Sequence, residues 1–383
     1  MKKILLFTIC ALLVSSAAAH SQSLDSTLQK LAGDAARGYV APIVSGFGSD
    51  LNGGWFHKAP SGKMFGFDLE FGLVAMGTTF SEESKKFSAS GSFKFDNNQA
   101  SQLVPLSIVP TSVTVSGQNI PLSATDRQSI QTQLINQIIG IEFGVGISGP
   151  TIIGSANDSM KIGFTGVNKN ATVTVFVPGV GNQQVIIPVN IPSQSIALPV
   201  GGLLDGVTLV PLAAPQLSIG TVVGTQFTFR YLPEVEIDSK IGKFKYFGWG
   251  LQHNPGIWFP NPLPVNICAS FFTQKLDVGT IFSTTATAYG INVSKTFGPG
   301  MLNITPYAGF MLESSKMTFT YDYDEPVPGT TVKTKSTISF ELEGENKSRI
   351  TLGLSLKLLF LNFNADYNIA KYNSFTGGVM FII

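Results

Sequence analysis

Charged residues are scarce. They make up 13% of the 383 residues, about half the usual ~25%. The scarcity is balanced in sign: 25 lysines and arginines face 24 acids, and leaving out Lys2 and Lys3 makes it 23 against 24. No basic surplus exists to neutralise phosphates, so nucleic acid is excluded as a partner class. Only two cysteines occur, Cys10 and Cys268. Cys10 falls in the leader described below, which leaves no intrachain disulfide for an exported chain. Of three histidines, His20, His57 and His253, none has a neighbour at metal-ligand spacing, so His57 and His253 read as solvated or wall side chains. Cys268 has no His–Asp/Glu context and reads as a packed thiol. The Gly144–Gly149 stretch matches a dinucleotide pattern by letter but lies in alternating sequence with no helix after it. Asp322, Asp324 and Glu325 read as a solvated acidic turn rather than a Ca²⁺ site. The sequence therefore predicts no catalytic residues, no cofactor, no metal and no enzyme.

Long apolar runs are also missing beyond the first residues. Residues 1–19 read as a secretory signal, with Lys2 and Lys3, an apolar core over 4–14, and small residues Ser15, Ser16, Ala17, Ala18 and Ala19 before the cut. That core is too short to span a bilayer. The longest uncharged stretch, 170–204, holds Pro178, Pro188, Pro192 and Pro199, which would break any spanning helix.

What the chain has is alternation. Phe65, Phe67, Leu69, Phe71 and Leu73 oppose Gly66, Asp68, Glu70 and Gly72. Ile350, Leu352, Leu354, Leu356 and Leu358 oppose Arg349, Thr351, Gly353, Ser355 and Lys357; the phase then flips to Leu361, Phe363, Ala365 and Tyr367, as a tight hairpin requires. Similar patterns cover 86–95 and 226–237. Strands of ten or more residues exceed the soluble mean, the polar faces are rich in Gly, Ser, Thr and Asn, and rings cluster at Trp55-Phe56, Tyr246-Phe247, Trp249 and Trp258-Phe259. These features predict an all-β fold, a transmembrane antiparallel barrel with its apolar face toward lipid. A secreted sandwich with one buried face is the alternative.

Strands expected at 62–74, 86–95, 141–148, 159–166, 171–177 and 184–190, with eight more from 226 onward, give about 14. A phase change near Ser314-Ser315 predicts a bulge in the 301–323 strand. Residues 20–61 form an N-terminal helix, with Leu24, Leu28, Leu31 and Ala35 on one side and Gly38 as its stop, followed by a Gly-rich hatch-like segment. Two placements fit, a plug in the lumen or a rest against the periplasmic rim. The barrel occupies 62–383, interrupted by an irregular apolar insertion around 96–220. Residues 125–139 within it form an amphipathic helix carrying Ile130, Leu134, Ile138 and Ile139 along one stripe, with Asp126 near its start. The lumen-facing charge candidates are Asp68, Glu70, Arg230, Glu234 and Glu236, either cross-paired or lining a path.

Gly53, Gly54, Trp55 and Phe56, the Phe65–Leu69 strand, Phe229-Arg230-Tyr231-Leu232-Pro233 and Gly250-Leu251-Gln252-His253 resemble an uncharacterised family of Bacteroidetes-type outer-membrane barrels. More distantly, the organisation is similar to the FadL-type transporters of long-chain fatty acids and hydrocarbons. That resemblance implies an N-terminal hatch and lateral release of hydrophobic substrate, although the chain lacks an Asn-Pro-Ala hatch motif and a terminal aromatic residue. The expected function is an outer-membrane barrel of a Gram-negative bacterium that binds or passes small hydrophobic molecules. Its partners are outer-membrane lipid, a small hydrophobic ligand and, during biogenesis, the barrel-assembly machinery. A structural or adhesive barrel with an occluded lumen is the competing expectation.

Overall fold

The computed structural model describes residues 24–62, 64–115, 117–238, 242–259, 263–279, 282–326 and 333–383. The leader lies outside the described residues, as do the side chains of Asp322, Asp324 and Glu325. The chain divides into two units, one of residues 86–150 and 154–203 with the N-terminal part through Tyr39, the other of 40–85, 151–153 and 204–383. Helix α1 (Leu24–Asn52) contributes its first part to the former and its last part to the latter. It does not stop at Gly38. That glycine serves close packing instead, since a Cβ there would lie 2.9 Å from the Phe87 ring.

The larger unit is a closed antiparallel barrel. Its wall begins with β1 (Phe65–Thr79). In the other unit follow β2 (Lys86–Phe93), α2 (Asn97–Leu103), β3 (Ser112–Val115), β4 (Gln118–Pro121), α3 (Ala124–Ile139), β5 (Phe143–Pro150), β6 (Met160–Phe164), β7 (Val167–Val177), β8 (Gly181–Ile191) and β9 (Gln194–Leu198). The wall resumes with β10 (Leu209–Val222), β11 (Thr225–Asp238), β12 (Gly242–His253), β13 (Asn266–Val278), β14 (Phe282–Ser294) and β15 (Leu302–Pro326). It ends with β16 (Lys333–Glu343), β17 (Ser348–Leu358), β18 (Leu361–Ile369) and β19 (Ser374–Ile382). Each strand pairs with the next around the ring, β14 closing on β15 and β19 on β1, while β16 extends the outer half of β15. The closed ring has ten strands, not about 14, because the alternating segments between 86 and 198 belong to the other unit.

Inside and outside are assigned by burial. Phe65, Phe67, Leu352 and Leu354 are 78%, 71%, 52% and 47% exposed, whereas Glu70, Val74, Arg230 and Ser355 on the opposite faces are buried. A closed ring whose rings and aliphatic side chains point outward fits a lipid solvent and not a sandwich. The hairpin flip is where the phase placed it: Leu358 pairs with Leu361 across Leu359-Phe360, with Leu359 at φ +58°.

Three expectations are corrected. No bulge interrupts β15, whose ladder with β14 runs unbroken from Tyr307 to Phe319. The apolar side changes because the strand's surroundings change: Met317 turns inward onto Val44 and Leu342, while Lys316 is exposed on the outer face. The segment outside the wall runs over 80–208 rather than 96–220, because β10 belongs to the wall although Pro211 and Pro215 interrupt its alternation. Of the ring clusters, Phe247, Trp249, Trp258 and Phe259 are exposed, but Tyr246, Trp55 and Phe56 are buried.

The other unit has an ordinary apolar interior. Its sheet runs β2-β5-β6-β9, with ribbons β3–β4 and β7–β8 beside it. Phe93, Ile130, Leu134, Ile138, Val145 and Val173 are buried. Helix α3 starts at a reciprocal Ser123–Asp126 capping box. Its Gln133 and Gln137 reach the backbone of Thr174 and Thr172, satisfying the free edge of β7.

Candidate functional site: the plugged lumen

Ten strands enclose a narrow lumen, and the chain fills it with its own residues 44–60. Helix α1 enters on its small face. A Cβ on Gly48 would fall 2.0 Å from Ser315 Oγ. Beyond the helix, Gly54 adopts φ +66°, a left-handed turn that glycine takes without strain. A side chain there would also approach Val74 to 2.7 Å and the Arg230 guanidinium to 3.3 Å. This turn sends Trp55 back against the wall, stacked on Phe272 at 5.1 Å.

The wall's polar face hydrogen-bonds the plug along its whole length. Near the end that carries Thr79, Thr78 Oγ1 lies 2.7 Å from Asp50 Oδ1 and 3.1 Å from Gly46 O, and the Glu345 amide donates to Ser45 Oγ at 3.1 Å. At mid-depth, Trp55 Nε1 donates to Gln274 Oε1 at 2.8 Å, and Gln274 Nε2 donates to Asn52 Oδ1 at 2.7 Å. Toward the C-terminal end, Gln252 donates to Trp55 O, the Ala59 amide to Ser294 Oγ, and Asn254 to Pro60 O.

Two buried arginines hold the helix C-terminus. Arg230 Nη1 donates to Gly53 O at 2.9 Å, its Nε to Gln216 Oε1 at 2.9 Å, and its guanidinium lies 4.1 Å over the Trp55 ring. Arg349 donates to Asn52 O and sits 3.6 Å from the buried Glu313 carboxylate. Cations at a helix C-terminus meet the negative end of its dipole and its unsatisfied carbonyls. At the exit, Glu70 is enclosed between His57 at 2.8 Å and Lys58 at 3.1 Å. The Glu70 carboxylate raises the Lys58 pKa, outweighing the opposite effect of burial. One cavity left beside the plug, lined by Trp55, Arg349, Asp366 and neighbours, is about 20 Å³, room for one water.

The five charge candidates separate. Glu70 and Arg230 are fully buried in the lumen and engage the plug. Asp68 is half-buried on the same face near the strand start. Glu234 and Glu236 are exposed. A register shift between Leu232 and Val235 inverts the phase of β11, so Glu236 pairs with Lys243 on the outward face and Glu234 bridges Lys243 at 3.2 Å. Sequence reasoning passed over Arg349, Asp50, Trp55 and the wall glutamines. The signal available was an arginine on an otherwise nearly uncharged polar face, which Arg230 and Arg349 share. Cys268 packs against Phe56, Ala59 and Tyr307, and His253 bonds Thr225 under the Trp258 ring.

The wall itself is incompletely zipped. β10 pairs with β1 from Thr79 through Asp68, but with β11 only between Gln216 and Val222. Mutual bonds between Leu69 and Ile383 show that odd residues of β1 face β19, so even residues of β1 and β10 face each other. Odd residues of β10 therefore face β11. Pro211, Pro215 and, on β11, Pro233 occupy this seam and offer it no N–H. Inside it lies an apolar cluster of Leu51, Ala214 and Tyr246 with Leu212 and Leu232.

No curated protein matches the chain significantly. Among solved structures, the chain is similar to OmpT of Vibrio cholerae, an outer membrane protein, at 10% identity over 83% of this chain and 100% of that one, with a TM-score of 0.21. It is similar to CdiB of Acinetobacter baumannii at 10% identity over 82% and 60% of the two chains, with a TM-score of 0.16. A family model matches residues 1–383, and the chain belongs to that family, a family of unknown function (DUF6588).

Proposed function

We propose that this protein is an outer-membrane barrel sealed along its axis by its own N-terminal segment, serving as an anchor for the unit threaded between Thr79 and Leu209. The carrying observation is the lumen filled by residues 44–60, with Arg230 and Arg349 fixing the helix C-terminus. The outward apolar face supports the membrane setting. In this reading the protein is exported, is not an enzyme, and reaches the membrane through the barrel-assembly machinery. Planar-bilayer recording tests it. The intact protein gives no stable conductance, and deletion of residues 24–60 opens one; a steady conductance from the intact chain would overturn the sealed reading. Outer-membrane fractionation with a heat-dependent gel shift tests the setting.

A second reading rests on the seam. Small hydrophobic molecules enter or leave sideways between β10 and β11, against the Leu212, Leu232 and Tyr246 cluster, as the FadL-type organisation implies. Locking the seam with Ala213→Cys and Pro233→Cys then abolishes long-chain fatty acid uptake; unchanged uptake in a deletion strain removes this reading.

A further inference from the structure

Asp50 lies in the last turn of α1, within the ring, and is fully buried. A carboxylate is unfavourable at that end of a helix, because the dipole is negative there. Its surroundings offer it one hydrogen at most. Thr78 Oγ1 sits 2.7 Å from Asp50 Oδ1 and 3.1 Å from Gly46 O, and a threonine hydroxyl has a single proton to give. The hydroxyls of Ser49 and Ser374 bond each other. Asp50 Oδ2 has no hydrogen-bond partner.

No cation compensates this carboxyl. Among the described residues, no lysine, arginine or histidine lies within ion-pair distance of Asp50. The lumen faces of β10 and β19 carry no titratable group. On the other strands each charge is already engaged. Glu70 is taken by His57 and Lys58, and Arg230 by Gly53 O and Gln216. Arg349 is taken by Asn52 O beside Glu313, and Asp366 by Asn368 and Tyr307. The Tyr246 phenol belongs to the apolar cluster with Leu51, and at the mouth Glu345 is held by Lys371 and Tyr372. An ionised Asp50 would therefore be a buried charge with one donor and no partner, a costly state. A neutral Asp50 fits the contacts: its O–H donates to Thr78 Oγ1, whose own O–H donates to Gly46 O.

We propose that Asp50 is a proton-held latch on the plug: it is neutral while the lumen is sealed, and loss of its proton frees the last turn of α1 from β1 and opens the axis. The latch deepens the sealed-barrel reading and rests on it. Infrared spectroscopy of the full-length protein in detergent at neutral pH tests the proton. The wild type shows the C=O band of a protonated carboxyl, and Asp50→Asn loses it. Thr78→Val, which leaves the O–H unbonded, shifts the band to higher frequency. No such band, or one that Asp50→Asn retains, would overturn the latch. Planar-bilayer recording tests the release. Raising the pH from about 5 to about 9, well above the ordinary carboxylate value, opens the wild type and leaves Asp50→Asn closed, since the amide keeps the shape and a donor. Equal opening of both, or of neither, counts against the latch. A wild type that already conducts at about pH 5 strikes the sealed reading instead, and the infrared band, read without current, keeps the two failures apart.

Discussion

The two units use the same alternating sequence in opposite senses. In the barrel, Leu352 and Leu354 face outward while Arg349, Thr351 and Ser355 line the interior. In the other unit, Val173, Val175 and Val177 turn inward and Thr172, Thr174 and Phe176 outward. A period of two marks a surface with two chemistries but does not say which one meets solvent. The distinction comes from what fills the inside. The barrel's interior holds a helix that needs hydrogen-bond partners for its carbonyls, and its walls supply arginine, glutamine and serine. The other unit closes on α3 through Ile130, Leu134 and Ile138, which need only apolar contact.

Removing one interior group from each unit gives the largest effects. Arg349→Ala strands the Asn52 carbonyl and the Glu313 carboxylate together, and costs about 3–5 kcal/mol, read as a lower unfolding temperature of the heat-modifiable form with new channel openings. Leu134→Ala costs about 2–5 kcal/mol, but in the other unit: proteolysis within 86–203 accelerates while the gel shift persists. If both variants moved the same transition equally, the contrast between the interiors would be lost. Reversing the outside comes next. Leu352→Arg costs about 2–4 kcal/mol toward the bilayer midplane and lowers yield in outer membranes, whereas the exposed Thr172→Arg is neutral.

Smaller effects sharpen the picture within the barrel wall. Changing Pro211, Pro215 and Pro233 together to Val restores N–H groups to the β10–β11 seam, stabilising by about 1 kcal/mol per bond formed; protection of the new amides at 211, 215 and 233 from hydrogen exchange is the readout, and exchange at the unprotected rate would show that no bonds form. The smallest effect is alkaline. Glu70 raises the Lys58 pKa above the ordinary 10.5, so the pair's contribution is complete below that value and fades as pH climbs through it and the higher folded value. The unfolding temperatures of wild type and Lys58→Met therefore converge as pH rises beyond 10.5.

Much of the barrel is legible from residue 226 onward, because most of the strands there alternate over nine or more positions and several turn at short hairpins. The β1 face and α3 are equally plain. The strand count was not, since β2, β5, β6 and β7 alternate as cleanly as barrel strands while burying the apolar side. β10 was hidden for the converse reason: prolines occupy positions that its ladder with β1 does not use. At the site, Glu70 and Arg230 were visible as charges on a lumen phase, but Glu234 and Glu236 were misplaced by a register shift that leaves no mark on composition. The clamp on Asn52 and Gly53 joins residues nearly 180 to 300 apart, and no local pattern carries such a pairing.

Because Ser45 and Gly46 are held at one mouth of the ring and Ala59 and Pro60 at the other, with β1 starting directly after, the polypeptide passes through its own barrel like a cord through a sleeve. Such a cord does not leave by dissociation. Opening the axis requires the threaded segment to unwind in place, because the first part of α1 is itself packed in the other unit; in the sealed reading the arginine clamp on Asn52 and Gly53 opposes that unwinding.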